Sequence, residues 1–182
     1  MPKLRFEEVT PDRWTDFEAL FESRGGPKNC WCMVWRTLPS KDRRNKGAKK
    51  QAMKRLILGG EPVGLLGYRG TKPVAWCSVA PRETFRDLGG PGDEAAVVWS
   101  LVCMFVRPEL RGQGIGKELI REAITHARRY GADFLEAYPV DPESPSYRFM
   151  GFVPAFNELG FQEVARAGER RHVMRLDLRV LH

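Results

Sequence analysis

From Trp99 to Val106 seven of eight residues are apolar, with no polar–apolar alternation. Such a run suits a strand buried on both faces. Arg107-Pro108 ends it, because proline cannot donate to a hydrogen-bonded ladder. Next comes Arg111-Gly112-Gln113-Gly114-Ile115-Gly116-Lys117, followed by Leu119, Ile120, Ala123, Ile124 and Ala127 at helical spacing. A glycine turn between a buried strand and a helix leaves backbone N–H groups aimed at one spot, backed by the positive end of the helix dipole. That arrangement is an anion cradle, most often for phosphate.

Two familiar phosphate loops do not fit. A P-loop needs Ser or Thr after its lysine, and Glu118 follows Lys117. A dinucleotide fingerprint needs G-x-G-x-x-G, and the third glycine comes one residue early. The spacing Arg111-x-x-Gly114-x-Gly116 after a buried strand resembles the pyrophosphate signature of the GNAT superfamily of N-acetyltransferases. The resemblance implies acetyl-CoA as acyl donor. It implies that the main chain of Met104, Phe105 and Val106 binds the pantetheine arm and thioester oxygen. Arg111, Gly112, Gln113, Gly114, Ile115, Gly116 and Lys117 would take the pyrophosphate. The alternative for the motif is a glycine turn needed only for tight strand-to-helix packing.

The rest of the chain is ordered to match. Residues 3–9 alternate as a half-buried strand, and residues 13–21 form a helix presenting Trp14, Phe17, Leu20 and Phe21. Residues 44–58 read as a second helix, and residues 62–69 and 72–79 as strands around Gly70-Thr71. Residues 84–94 read as a loop, the most mobile stretch expected. Residues 133–138 form a short strand parallel to the central one, since a helical crossover returns in the same direction. Residues 160–166 and 172–178 close the chain as a hairpin, opened by Gly160-Phe161 as in the resembled superfamily. The expected fold class is α/β (α+β): a mixed, mostly antiparallel sheet of about seven strands flanked by helices, splayed between the fourth and fifth. Residues 1–182 are expected to form a single N-acetyltransferase domain.

Composition narrows the setting. The chain has 182 residues and a net charge of +7. No apolar run approaches the length of a membrane span, and the charged start Lys3-Leu4-Arg5-Phe6-Glu7-Glu8 does not read as a signal peptide, so a cytoplasmic location is expected. Cys77 and Cys103 sit in apolar runs as core thiols. Cys30-Trp31-Cys32 is too tightly spaced for a zinc knuckle and lacks a second ligand pair, so no metal is expected. The basic run between Lys41 and Arg55 reads first as a solvated helix face; it lacks the interleaved aromatics of a nucleic-acid binder, and nucleic acid is not an expected partner.

The chemistry is less fully written. Acetyl transfer to an amine needs a positioned thioester, a stabilised oxyanion and a route for one proton. Where family members commonly carry Tyr four residues before the "G-F" glycine, this chain has Phe156. Tyr147 or Ser146 would then supply the proton donor, and Glu136 on the parallel strand the base, with Glu94 and Asp141 near expected groove loops. Trp31 and Trp35 are candidates for the acceptor groove, with core packing as the alternative. His126 is expected to be structural. The function implied is acetyl transfer to a primary amine of a small molecule or peptide by direct attack on the thioester. The alternative is an acyl-CoA-binding module without effective turnover. Homodimers through sheet edges are a further expectation of the resemblance.

Overall fold

The computed structural model describes residues 3–92 and 95–180. Its elements run β1 (Arg5–Glu8), α1 (Trp14–Glu22), α2 (Lys46–Leu58), β2 (Gly64–Arg69), β3 (Lys72–Pro81), β4 (Val98–Val106), α3 (Ile115–Arg129), β5 (Phe134–Ala137), α4 (Val153–Glu158), β6 (Gln162–Ala167) and β7 (Arg171–Asp177). One seven-stranded sheet has the order β1-β2-β3-β4-β5-β7-β6. β4 and β5 pair in parallel, and every other strand pair is antiparallel. No helix among the described residues is long and apolar enough to cross a membrane.

Apolar cores lie on both faces of the sheet, which is why β4 reads as an unbroken apolar run. On one face α1 and α2 cover Leu66, Trp76, Val102, Cys103 and Phe105. On the other, α3 and α4 cover Leu65, Cys77, Trp99, Leu101 and Leu135. Phe17 and Phe21 of α1 meet Trp76 edge-on, at centroid distances of 5.0 and 5.8 Å.

The basic run is partly committed to this packing. Asn45 caps α2 by accepting from the Ala48 amide at 3.0 Å. Lys50 then pairs with Glu18 and Glu22 of α1, each at 2.6 Å, and Lys54 lies 5.5 Å from the Trp14 ring centre. Two of the cations expected on a solvated face therefore stitch α2 to α1.

Candidate active site

The glycine turn stands open. Gly112 and Gly114 have φ of +77° and +80°, a left-handed conformation that glycine enters most readily. Among the described residues, the amides from Gly112 to Gly116 donate to no backbone or side-chain acceptor. The first that does is Lys117, to the Gly114 carbonyl at 3.1 Å. A Cβ built on Gly112, Gly114 or Gly116 would meet no atom within 4 Å, so tight packing is not what requires these glycines. Gly116 is the most informative, because it lies inside α3 without a positive φ. Neither conformation nor packing within the protein calls for glycine there.

Cations surround the turn. Arg111 folds back so that its Nε donates to the Val106 carbonyl at 3.1 Å. Lys117 pairs with Glu158, and Arg69 Nη2 donates to Gln113 Oε1 at 3.4 Å. With the N-terminus of α3, these groups make a positive field around five unengaged donors.

Below the turn the sheet opens. β5 pairs only with Val98 to Leu101, and β4 continues to Val106 paired with β3 alone. A bulge at Val102 separates these halves, since Cys103 faces Ser78 and Leu101 faces Val79. The Arg107 amide donates to Val74 in β3 at 3.0 Å. By strand alternation the Met104 and Val106 amides point the other way, into the gap. Ser100 Oγ and Tyr138 Oη lie 2.7 Å apart and form the gap's floor. Gly151 forms part of a wall: a Cβ there would lie 2.6 Å from Met104 Cε and 2.8 Å from Phe156 Cε2. Phe156 is fully buried, edge-on to Phe161 at 5.1 Å.

Glu136 lies beneath this floor and is 0% exposed. Tyr138 donates to its Oε1 at 2.7 Å, Arg175 Nε donates to Oε2 at 2.6 Å, and Arg82 Nη1 stands 3.6 Å away. Burial, then the Glu136 charge, push the Tyr138 hydroxyl well above the ordinary tyrosine range. The Pro91 carbonyl accepts from both Arg82 and Arg175, at 2.9 and 3.1 Å. Gly90 sits so close that a Cβ would come 2.1 Å from Glu136 Oε1. The described part of the loop expected to be most mobile, residues 84–92, is therefore tied to this buried carboxylate.

Sequence reasoning missed Ser100 and Tyr138. The available signal was a glutamate in a strand flanked by apolar residues, which has to find partners when buried. Tyr138, two residues along on the same face, was the nearest candidate.

Trp35 and Tyr147 come together, with ring centres 6.0 Å apart. Arg171, at the start of β7, places its guanidinium carbon 4.6 Å from the Trp35 ring centre and 5.5 Å from that of Tyr147. Tyr147 is 38% exposed at the mouth of this groove. Trp31, expected beside Trp35, instead lies in the α1 core, 3% exposed and stacked on Phe21 at 5.4 Å. Trp31 and Cys32 both have positive φ, so this segment is not helical and the two tryptophans diverge. A hydrogen bond between the free thiols of Cys32 and Cys103 on β4 lowers the pKa of the first and raises that of the second.

The other candidates are scattered. Tyr147 and Glu136 share no contact among the described residues. Ser146 Oγ accepts from Arg170 at 2.7 Å, and Asp141 Oδ1 lies 3.1 Å from His172 Nε2. Glu94 falls outside the described residues. His126 packs edge-on to Trp99 at 5.5 Å, and burial lowers its pKa.

Comparison with known proteins gives a consistent picture. Residues 12–152 match the model of the acetyltransferase (GNAT) family. No curated protein sequence matches the chain. Among solved structures, an N-acetyltransferase from Staphylococcus aureus Mu50 is similar at TM-score 0.60 and 14% identity, covering 98% of this chain and 100% of that one. The PaiA N-acetyltransferase from Thermoplasma acidophilum in complex with coenzyme A is similar at TM-score 0.55 and 13% identity, covering 97% and 99%. AAC(6')-Iy in complex with the bisubstrate analogue CoA-S-monomethyl-acetylneamine is similar at TM-score 0.59 and 17% identity, covering 91% and 95%.

Proposed function

This chain belongs to the acetyltransferase (GNAT) family, and from that premise we propose that it transfers the acetyl group of acetyl-CoA to a primary amine of a small molecule or peptide. The observation that carries the reading is the row of unengaged amides from Gly112 to Gly116, beside a glycine that only close approach explains. Similar folds hold coenzyme A in the Thermoplasma acidophilum protein and a coenzyme-based bisubstrate analogue in AAC(6')-Iy, which supports the same ligand here.

Acetyl-CoA bound in this site supplies an activated acyl group. The amides from Gly112 to Gly116 and the N-terminus of α3 would hold the pyrophosphate, with Arg111 and Lys117 adding charge. The main chain of Met104, Phe105 and Val106 would hold the pantetheine arm, and the gap-facing Met104 amide would polarise the thioester carbonyl. Trp35, Tyr147 and Arg171 would form the acceptor groove. Tyr147 is the proposed proton donor to the departing sulfur. Glu136, closed off beneath the gap, would act only through Tyr138, whose hydroxyl it holds in place. All four cysteines are free, which supports a reducing compartment and hence the cytoplasm.

Calorimetric titration with coenzyme A, followed by thiol release from acetyl-CoA over a panel of primary amines, tests the proposal. Binding with steady release is expected. Absence of binding sinks it. Binding without release favours the second reading, an acyl-CoA binder without turnover, which the missing hydroxyl at Phe156 supports.

A further inference from the structure

Several buried donors near the groove have no acceptor. Trp35 Nε1 and Arg171 Nη1 are both buried and lack a hydrogen-bond partner among the described residues. They come from distant segments, yet the Arg171 guanidinium carbon lies 4.6 Å from the Trp35 ring centre. Arg36, the next residue along, also leaves Nε and Nη2 unpartnered, but it lies over the Phe85 ring and lines a separate cavity. A buried donor without an acceptor is costly, and a buried cation without an anion more so. Burial lowers the pKa of Arg171, opposed by the Tyr147 and Tyr138 hydroxyls rather than by a carboxylate.

The surrounding charge has the same sign. Arg86 lies 5.7 Å from the Trp35 ring centre on its own side, and Arg170 binds Ser146 at the rim. Ser146, Tyr147, Phe149, Arg170 and Arg171 line a cavity of about 590 Å³, and among the described residues Glu169 is the one carboxylate on its wall. That volume lies within the roughly 300–1,000 Å³ of small-molecule sites. A cationic acceptor with no other charge would be repelled here. An acceptor ending in a carboxylate would pair with Arg171, and its aliphatic or aromatic body would pack on Tyr147 and Phe149.

We infer that the acceptor is an amine that also carries a carboxylate, of the amino-acid class, held by Arg171 at the mouth of the groove. The inference rests on the acetyltransferase reading above.

The test compares free amino acids with their carboxamides, which keep the amine and lose the charge. Phenylalanine, leucine and glutamate, each beside its α-carboxamide, serve as acceptors in the thiol-release assay. The free acids are expected to exceed the carboxamides in kcat/KM by about tenfold or more. Arg171→Gln should raise KM for the acids by a similar factor and so erase their advantage over the carboxamides. Arg171→Lys, which keeps the charge without the planar fork, should fall between. Coenzyme A affinity, followed by calorimetry in each variant, should stay constant. Equal use of acids and carboxamides, or an equal loss for both in Arg171→Gln, overturns the carboxylate assignment alone. Loss of coenzyme binding in the unmodified protein overturns the reading beneath it.

Discussion

Ser100 Oγ and Tyr138 Oη lie 2.7 Å apart, joining β4 to β5 beside the last register pair, Leu101 with Ala137. The contact marks where a paired sheet becomes an open one, and Glu136 fixes it from below by accepting from Tyr138.

Tyr138→Phe removes the hydroxyl that serves both neighbours. The expected loss is about 1–3 kcal/mol in urea unfolding, the cost of leaving buried polar atoms unserved. Unchanged stability would mean that the floor of the gap is not held by this bond.

Glu136→Ala leaves Arg175 and Arg82 without their buried carboxylate and frees the loop carrying Pro91. Breaking a buried pair from one side costs roughly 3–5 kcal/mol, so a large drop in stability is expected with any loss of activity. Full stability with abolished turnover would instead mark Glu136 as a direct participant in proton transfer.

Gly116→Ala separates the fold from the ligand. The new methyl meets nothing in the protein, and alanine in a helix is favoured over glycine by up to about 1 kcal/mol. Thermal stability should hold or rise slightly, whereas coenzyme A affinity by calorimetry should fall by at least about tenfold. Gly114→Ala differs, because a left-handed φ of +80° costs a substituted residue about 1–2 kcal/mol.

Stability should fall on mild acidification. Burial lowers the His126 pKa below its ordinary value of 6.5, so the unfolded chain binds a proton before the folded one does. The stabilisation is complete above pH 6.5 and declines as pH drops below that, levelling once the folded histidine also protonates. Urea midpoints from pH 8 to pH 5 should show the slope, and His126→Phe should flatten it.

Phe156→Tyr supplies the hydroxyl that the resembled superfamily commonly carries at this position. On the acetyltransferase reading it should raise kcat a few-fold while costing about 1–3 kcal/mol for burying an oxygen in an apolar site. A fall in both would show that this ring does not face the departing sulfur.

Local pattern made most of the fold legible. The unbroken apolar strand, the glycine turn and the 3.6-residue rhythm after it are short-range signals, and they located β4, the cradle and α3. Trp31 and Glu136 were harder, because their placement depends on distant partners. A positive φ at Trp31 sends it into the α1 core, which spacing alone cannot show. Glu136 is explained by Tyr138, Arg82 and Arg175, and the two arginines lie on other strands or their flanks. The groove was half legible: Trp35 and Tyr147 stood out as aromatics, but Arg171 was one of many arginines until the fold set it between them.

The bulge at Val102 sits where β4 loses β5 as a partner. Downstream of it, Met104 and Val106 turn their amides away from β3; upstream, the same strand keeps its partners on both sides. Because the extra residue lies between the pairs Leu101–Val79 and Cys103–Ser78, the register with β3 on either side does not depend on it. What the extra residue supplies is local: two consecutive side chains, Val102 and Cys103, enter the same core, and the strand bends where β5 leaves it.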